Sequence, residues 1–472
     1  MRPFLAAFVA ALSLLTSVAA PAATLLVKTA VDTDAADGFC SLREAITAAN
    51  TDMPRQECPA GSGADRILFD LPSLPATITL AAPLPEIYGS LALRGPGRSA
   101  LTLDGAGLNR ILRVNSAADD LFIEISDLTL ANGFTTSEGG ALHVLGGQDA
   151  WVRLERLELA GNVATLYGGA ISFTPSVPTS SRLEIRQAYF HDNQASNLGG
   201  GALRIYDHSA TIDATTFASN TTGGNGGAIN LFDSALTLAR STLSGNSADD
   251  FGGAISGSDL NAPLALTLVD STVTLNVAGA DADPFGAGGG ISFDGTAGAR
   301  LLTLANTVLA GNSDLSTTAP NNPDIAGIDA TDSVASTLSL VGDPTGADTF
   351  FPAGVPNVNG DYVGTAAAPL PAALEPLGNN GGPTPTHRPD LVAGSWVLDR
   401  GQCPGAEADQ RGAGLAPASG RIVDIGALPN GPGSDGCDLG AVERGANAAT
   451  ALVLFDDGFE NGTTLAWWGE RP

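Results

Sequence analysis

Lysine is almost missing from this sequence: Lys28 is the one lysine among 22 basic residues, against 50 acidic ones, for a formal net charge of −28 over 472 residues. Nucleic-acid binding depends on clustered Lys and Arg, so that class of partner is excluded, and anionic lipid surfaces are disfavoured on the same ground. Methionine (2), histidine (4), cysteine (4) and aromatics (6%) are scarce as well. The histidines, His143, His191, His208 and His387, have neither triad nor metal-ligand spacing, and no cofactor or metal is expected. His191 and His208 read as surface or turn residues. No apolar run after Leu15 is long enough to cross a bilayer. What is plentiful is glycine (59) on a chain that is 43% hydrophobic, enough for a packed core.

The first residues address compartment. Arg2 gives a short positive start, Phe4 to Leu15 an apolar stretch too short for a span, and Ala20-Pro21-Ala22 an A-x-A-like cleavage site. Residues 1–22 therefore read as a signal peptide, and the mature chain is expected to be exported, with no transmembrane segment. Four cysteines allow three pairings. The local pairs Cys40–Cys58 and Cys403–Cys437 are expected, because an elongated molecule keeps its ends apart, and each would stabilise by roughly 3 kcal/mol. A metal site competes poorly, since no C-x-x-C or nearby His accompanies them.

A short motif recurs: Gly139-Gly140-Ala141-Leu142, Gly168-Gly169-Ala170-Ile171, Gly200-Gly201-Ala202-Leu203, Gly226-Gly227-Ala228-Ile229, Gly252-Gly253-Ala254-Ile255 and, as a variant, Gly288-Gly289-Gly290-Ile291. Their starts lie 29, 32, 26, 26 and 36 residues apart. An apolar residue three positions before an Asn precedes each motif, as in Leu159/Asn162, Phe190/Asn193, Phe217/Asn220 and Leu243/Asn246, with Asn132, Asn276 and Asn312 in matching places. Between these marks the pattern alternates with period two, as in Leu236-Thr237-Leu238, and no ordinary helix fits. Such a period, made only of short strands, means stacked coils. The fold class is all-β, a parallel β-helix. The paired glycines can take φ > 0 and serve a tight turn, and each Asn tolerates the left-handed region while its amide can bond the equivalent Asn one coil away. A phosphate-binding loop is excluded: no helix follows the glycines and no Lys is at hand.

A solenoid exposes an unpaired edge at each end. Cys40-Ser41-Leu42-Arg43-Glu44-Ala45-Ile46-Thr47-Ala48-Ala49-Asn50 reads as an N-terminal cap. Ser41 and Glu44 form a capping box, and Leu42, Ala45, Ile46 and Ala49 share one helical face. Cys-Ser-Leu-Arg-Glu-Ala is identical to the signature of the CSLREA domain of exported bacterial proteins. Leu84-Pro85-Glu86-Ile87 and Leu93-Arg94-Gly95-Pro96-Gly97 resemble the first coils of those proteins, and the Gly-Gly-Ala-Ile and Phe-x-x-Asn marks resemble polymorphic outer-membrane proteins. Residues 379–443 resemble the choice-of-anchor Q region, through Asn380-Gly381-Gly382-Pro383-Thr384, Asp409-Gln410-Arg411-Gly412 and Cys437-Asp438-Leu439-Gly440-Ala441-Val442-Glu443. The resemblance implies a right-handed β-helix placed extracellularly or at the bacterial cell surface, and no known reaction. Autotransporter-like relatives end in a membrane barrel of several strands. Only residues 444–472 follow Glu443, so no self-inserting barrel is expected.

The organisation read from the sequence is signal peptide 1–22, cap 24–75, parallel β-helix 76–340, Pro-rich connection 341–378, C-terminal region 379–445 and an aromatic, acidic tail 446–472 that could serve secretion or sorting. Asp32-Thr33-Asp34-Ala35-Ala36-Asp37-Gly38 resembles an oxygen-ligand loop but lacks EF-hand spacing, and reads as a solvated acidic turn. No paired carboxylates recur on successive coils, and the scarcity of cations disfavours a polyuronate substrate. The expected role is therefore structural or adhesive, in a monomer without catalytic residues that contacts an extracellular glycan or surface protein. The alternative is a carbohydrate-active β-helix enzyme, which would show carboxylates and arginines converging on adjacent coils. The positions before each Gly-Gly, Glu138, Tyr167, Gly199, Asn225, Phe251 and Ala287, should stack into one line, with Tyr167 and Phe251 as candidate ligand contacts.

Overall fold

The computed structural model describes residues 22–443 apart from 176–180, 282–283, 296–299, 319–320, 392–394, 403–407 and 413–429. The signal-peptide stretch up to residue 21 and the tail lie outside the described residues. The chain forms a right-handed parallel β-helix of about 9 turns. A typical coil runs through the strands Ser209–Asp213, Thr216–Ala218, Thr221–Thr222 and Ile229–Phe232. Each strand pairs in parallel with its equivalents one coil away, building sheets of 20, 7 and 8 strands. The stacking extends beyond the stretch marked by the repeats. Thr24–Val27 pairs with Asp65–Phe69, and Leu340–Val341 with Tyr362–Val363. These outer coils carry no Gly-Gly mark, so periodicity did not reveal them.

Alternation puts one residue in two inside, where like stacks on like. Leu130, Leu159, Phe190, Phe217, Leu243, Val273 and Leu309 form one inward column in register. All are fully buried, and the Phe190 and Phe217 rings stack at 4.6 Å. Burial of each such side chain contributes roughly 1.5–3 kcal/mol.

The asparagines form a second internal column. Nδ2 of Asn162, Asn193, Asn220, Asn246 and Asn276 donates to Oδ1 of the next asparagine at 2.8–2.9 Å, and Asn312 donates at 2.8 Å to Asp324, which ends the series. The backbone N–H of each residue from Asn162 to Asn276 donates to the same oxygen, so one amide serves two groups that the tight turn leaves without a ladder partner. The left-handed conformation falls one residue earlier than the asparagine, at Gly161 (φ 62°), Asp192 (55°), Ser219 (55°) and Leu275 (61°). Asn132 (φ 53°) occupies that earlier position, and Gly133 takes the ladder place, donating its N–H to Asn162. Asn132 is thus displaced by one residue from the register expected of it.

The two glycines of the motif are needed for different reasons. Gly200 has φ 66°, a conformation that strains any residue with a Cβ. Gly201 has no such angle, but a Cβ there would overlap the Gly227 carbonyl of the next coil.

Helix α1 (Leu42–Thr51) covers the first coil, with the Ser41/Glu44 capping box formed and Leu42, Ala45 and Ile46 buried. The Cys40–Cys58 disulfide pins it, with Cα atoms 4.8 Å apart. Asp32 pairs with Arg43, and Asp34 with Arg55, so the acidic turn ties itself to the cap. The Arg55 hydrogen bond holds the Asp34 carboxyl below its ordinary value. At the far end Ala347 and Phe351 are buried against the last coil. Cys437 is disulfide-bonded, and its expected partner Cys403 lies outside the described residues.

The C-terminal region is no separate appendage: it lies along the flank of the rod. Gln410, fully buried, accepts from Thr242 Oγ1 at 2.6 Å and donates to Thr216 (2.7 Å) and Thr384 (3.0 Å). Ser244 meets His387 Nε2 at 2.8 Å, and the Ala441 N–H reaches Thr272 at 3.0 Å. Arg411 is bound by Asp409 and the Glu443 carbonyl, while Asp409 also accepts from the Glu443 N–H at 3.0 Å. Three stretches far apart in sequence, around Thr384, Gln410 and Glu443, thereby form one buried strap across successive coils.

Candidate ligand-binding groove

Each Gly-Gly pair bends the chain so that the residue before it faces the outward residue of the strand after it. The first wall is the expected line: Tyr167, Gly199 and Asn225 bridge in parallel, as do Phe251 and Ala287. The second wall consists of Arg113, His143, Ser172, Arg204, Asn230, Ser256 and Ser292, all in register. The walls touch. Ser172 Oγ donates to Glu138 Oε2 at 2.8 Å, Arg204 Nη1 to Glu138 Oε1 at 2.8 Å, and the Arg204 guanidinium lies 3.6 Å from the centre of the Tyr167 ring. Tyr167, Ser172, Arg204 and Glu138, from three coils, thus line one inside corner.

Tyr167 and Phe251 are both half-buried. Tyr167 is covered by Arg204, and Gly199 and Asn225 separate the two aromatics along the line. A different pair makes the flat surface. Tyr206 and Phe232 are in register one coil apart, their rings 5.0 Å apart and 12° from parallel, with Arg204 5.1 Å from Tyr206. This pair lies outside the positions before Gly-Gly, where ligand contacts were expected. Its signal was present: Leu203-Arg-Ile-Tyr206 and Ile229-Asn-Leu-Phe232 place an aromatic at the same offset after the motif.

At its N-terminal end the corner opens into a cleft of about 430 Å³, with Glu86, Leu108, Arg110, Arg113 and Phe134 in its lining. Glu86 accepts from Arg113 and Asn115. His143, buried beside these groups, is pushed down to about 3, first by burial and then by Arg110, Arg113 and Arg204, so its ring stays neutral. The sequence as a whole is short of cations, yet three arginines converge here.

The other histidines lie elsewhere. His191 sits between Glu158 (3.1 Å) and Asp192 (2.7 Å); burial lowers its pKa, but the two carboxylates prevail and raise it. His208 is buried edge-on to Phe173 and reaches the Pro175 carbonyl at 3.1 Å, so it belongs to the turn and not to the surface. His387 belongs to the strap. Among the described residues no group of three or more His, Cys, Asp or Glu side chains is placed to hold a metal ion.

One stretch matches a known family. Residues 240–258 match the Chlamydia polymorphic membrane protein repeat, a span that includes ladder Asn246 and the Gly252-Gly253 bend. The match covers less than one coil and reaches neither the cap nor the strap. No curated protein and no solved structure matches the chain.

Proposed function

We propose that this is an exported surface protein whose β-helix binds a glycan along the Gly-Gly corner without cleaving it. The observation that carries this reading is the Tyr206–Phe232 platform beside Arg204 and Glu138. A sugar ring offers an apolar C–H face to stack on aromatics and hydroxyls to bond with fixed polar groups, and the groove supplies both side by side. Asn225 and Asn230 continue the polar lining toward Phe251. The polymorphic membrane protein repeat supports a cell-surface setting, extracellular or at the outer membrane, and the protein is taken to act as a monomer without cofactor.

A binding role is favoured over catalysis because the carboxylates at the corner are already engaged. Glu138 is held by Arg204 and Ser172, and Glu86 by Arg113 and Asn115. The second reading, a carbohydrate-active enzyme, draws on the convergence of Arg110, Arg113, Arg204 and Glu138 on adjacent coils. Purified protein is to be screened on immobilised polysaccharides, with bound protein and released reducing or unsaturated ends scored together. Binding without products, lost in the Tyr206→Ala/Phe232→Ala variant, is expected. Product release would establish the enzyme reading, and retention of binding in the double variant would move the site elsewhere.

A further inference from the structure

The cleft at the start of the corner holds an arginine with an open donor face. Arg110 Nε donates to the Gly139 carbonyl at 3.0 Å, and Nη2 to Thr135 Oγ1 (2.8 Å) and the Glu138 carbonyl (2.9 Å). All three acceptors are neutral, and Nη1 bonds to none of them. Arg113 and Arg204, by contrast, are each neutralised by a glutamate. Arg110 therefore has no carboxylate among these hydrogen-bond acceptors, Glu138 and Glu86 acting on it only at longer range, and its other two nitrogens hold it in place. Leu108, 76% exposed, and the partly buried Phe134 stand beside it in the cleft lining. Burial first, and then Arg110, Arg113 and Arg204, keep His143 neutral, so the arginines add positive potential at this end. A guanidinium fixed by neutral groups beside apolar walls suits an anion attached to an otherwise uncharged ring.

We propose that Arg110 is the anion-binding residue of a subsite for an acidic sugar, whose carboxylate or sulfate group meets Nη1 while its ring lies against Leu108 and Phe134. The subsite lies at the N-terminal end of the same wall. From Arg113 the second wall runs through His143, Ser172 and Arg204 to Asn230, four inter-coil steps of ~4.8 Å, or about 19 Å. A saccharide chain on the Tyr206–Phe232 platform can thus place an acidic residue in the cleft. This rests on the glycan-binding reading and specifies its ligand class. The overall charge of −28 does not oppose it at physiological ionic strength, where charges beyond about 8 Å are largely screened.

The test compares matched polymers at about 0.15 M ionic strength: polygalacturonate against its methyl ester, and dextran sulfate against dextran, each titrated by calorimetry into wild type, Arg110→Gln and Arg110→Lys. Wild type is expected to prefer an acidic member over its neutral counterpart by about tenfold, the effect of one charge-assisted hydrogen bond. The preferred pair identifies the anion as carboxylate or sulfate. Arg110→Gln should erase the preference while leaving affinity for the neutral polymer unchanged, and Arg110→Lys should keep part of it. Unchanged neutral-polymer binding also certifies that the variants fold. Equal affinity of wild type for both members of each pair, or a preference that survives Arg110→Gln, would overturn the subsite and leave the glycan reading standing. Absence of wild-type binding to all four polymers overturns the subsite as an acidic-sugar site, and the broader polysaccharide screen then decides the reading beneath it.

Discussion

The Glu138 carboxylate and the Arg204 guanidinium, 66 residues apart in sequence, meet at 2.8 Å across the Gly-Gly corner. Two side chains from different coils are held by each other, and Arg204 also covers the Tyr167 ring. Both charged groups are largely shielded, so removing one leaves the other without its partner in a low-dielectric corner. Glu138→Ala is expected to lower stability by about 1–3 kcal/mol. A double-mutant cycle with Arg204→Ala should give a coupling of at least ~1 kcal/mol. Strictly additive effects in denaturant unfolding would show that the pair does not organise the corner.

The asparagine column makes a sharper prediction because its hydrogen bonds run in one direction. In Asn220→Ala the Asn193 N–H and the Phe190 carbonyl lose their partners inside the rod, at a cost of roughly 1–3 kcal/mol each. Asn220→Asp is nearly isosteric, but its second oxygen would face the Phe190 carbonyl and Asn246 Oδ1, both acceptors. Protonation converts that oxygen to a donor. The Asp variant should therefore be strongly destabilised at pH 8 and regain much of its melting temperature near pH 4. A pH-independent deficit would contradict the assigned directions.

Asp324 closes the same column, where three donors meet its carboxylate: Asn312 Nδ2 at 2.8 Å, its N–H at 3.3 Å and the Asp343 N–H at 2.6 Å. Burial nevertheless pushes its carboxyl up to about 7. A carboxyl near 4 in the unfolded chain holds its proton more tightly once folded, so its contribution is complete below pH 4 and is lost as pH rises through 7. At about 1.4 kcal/mol per pKa unit the loss is on the order of a few kcal/mol. Asp324→Asn should accordingly flatten the decline in melting temperature between about pH 4 and 7. Parallel wild-type and variant profiles would refute the raised value.

The strap can be probed at Gln410, whose amide joins Thr216, Thr242 and Thr384. Gln410→Ala leaves buried hydroxyls underbonded and should loosen the C-terminal region without melting the repeats. Limited proteolysis with mass spectrometry should show early cleavage after residue 364 and a resistant repeat fragment. An unchanged digestion pattern would mean that the strap is held by other contacts.

The repeat was legible because each recurring residue has one physical job. Gly200 needs its positive φ, Gly201 its missing Cβ, and Asn220 its two-sided amide, so the marks recur even where coil length varies. The cap was legible for a similar reason: Ser41 and Glu44 act within three residues of each other. The groove was not, because Glu138 and Arg204 become neighbours only through stacking, and their register depends on every coil between them. The strap was equally hidden. Thr216, Thr242 and Thr272 face outward on their strands, and only the packing of Gln410 and Ala441 against them explains why these positions are buried. Composition misled in one respect: a net charge of −28 gave no hint that Arg110, Arg113 and Arg204 share a corner.

Hydroxyl-radical footprinting of the protein, with and without the polysaccharide it binds most tightly, tests the central claim most directly. The account predicts that bound glycan protects Tyr206 and Phe232 from oxidation, while Phe39 and Tyr88, exposed near the N-terminal cap, are modified at the same rate in both samples. Unaltered oxidation of Tyr206 and Phe232 at saturating glycan would contradict it.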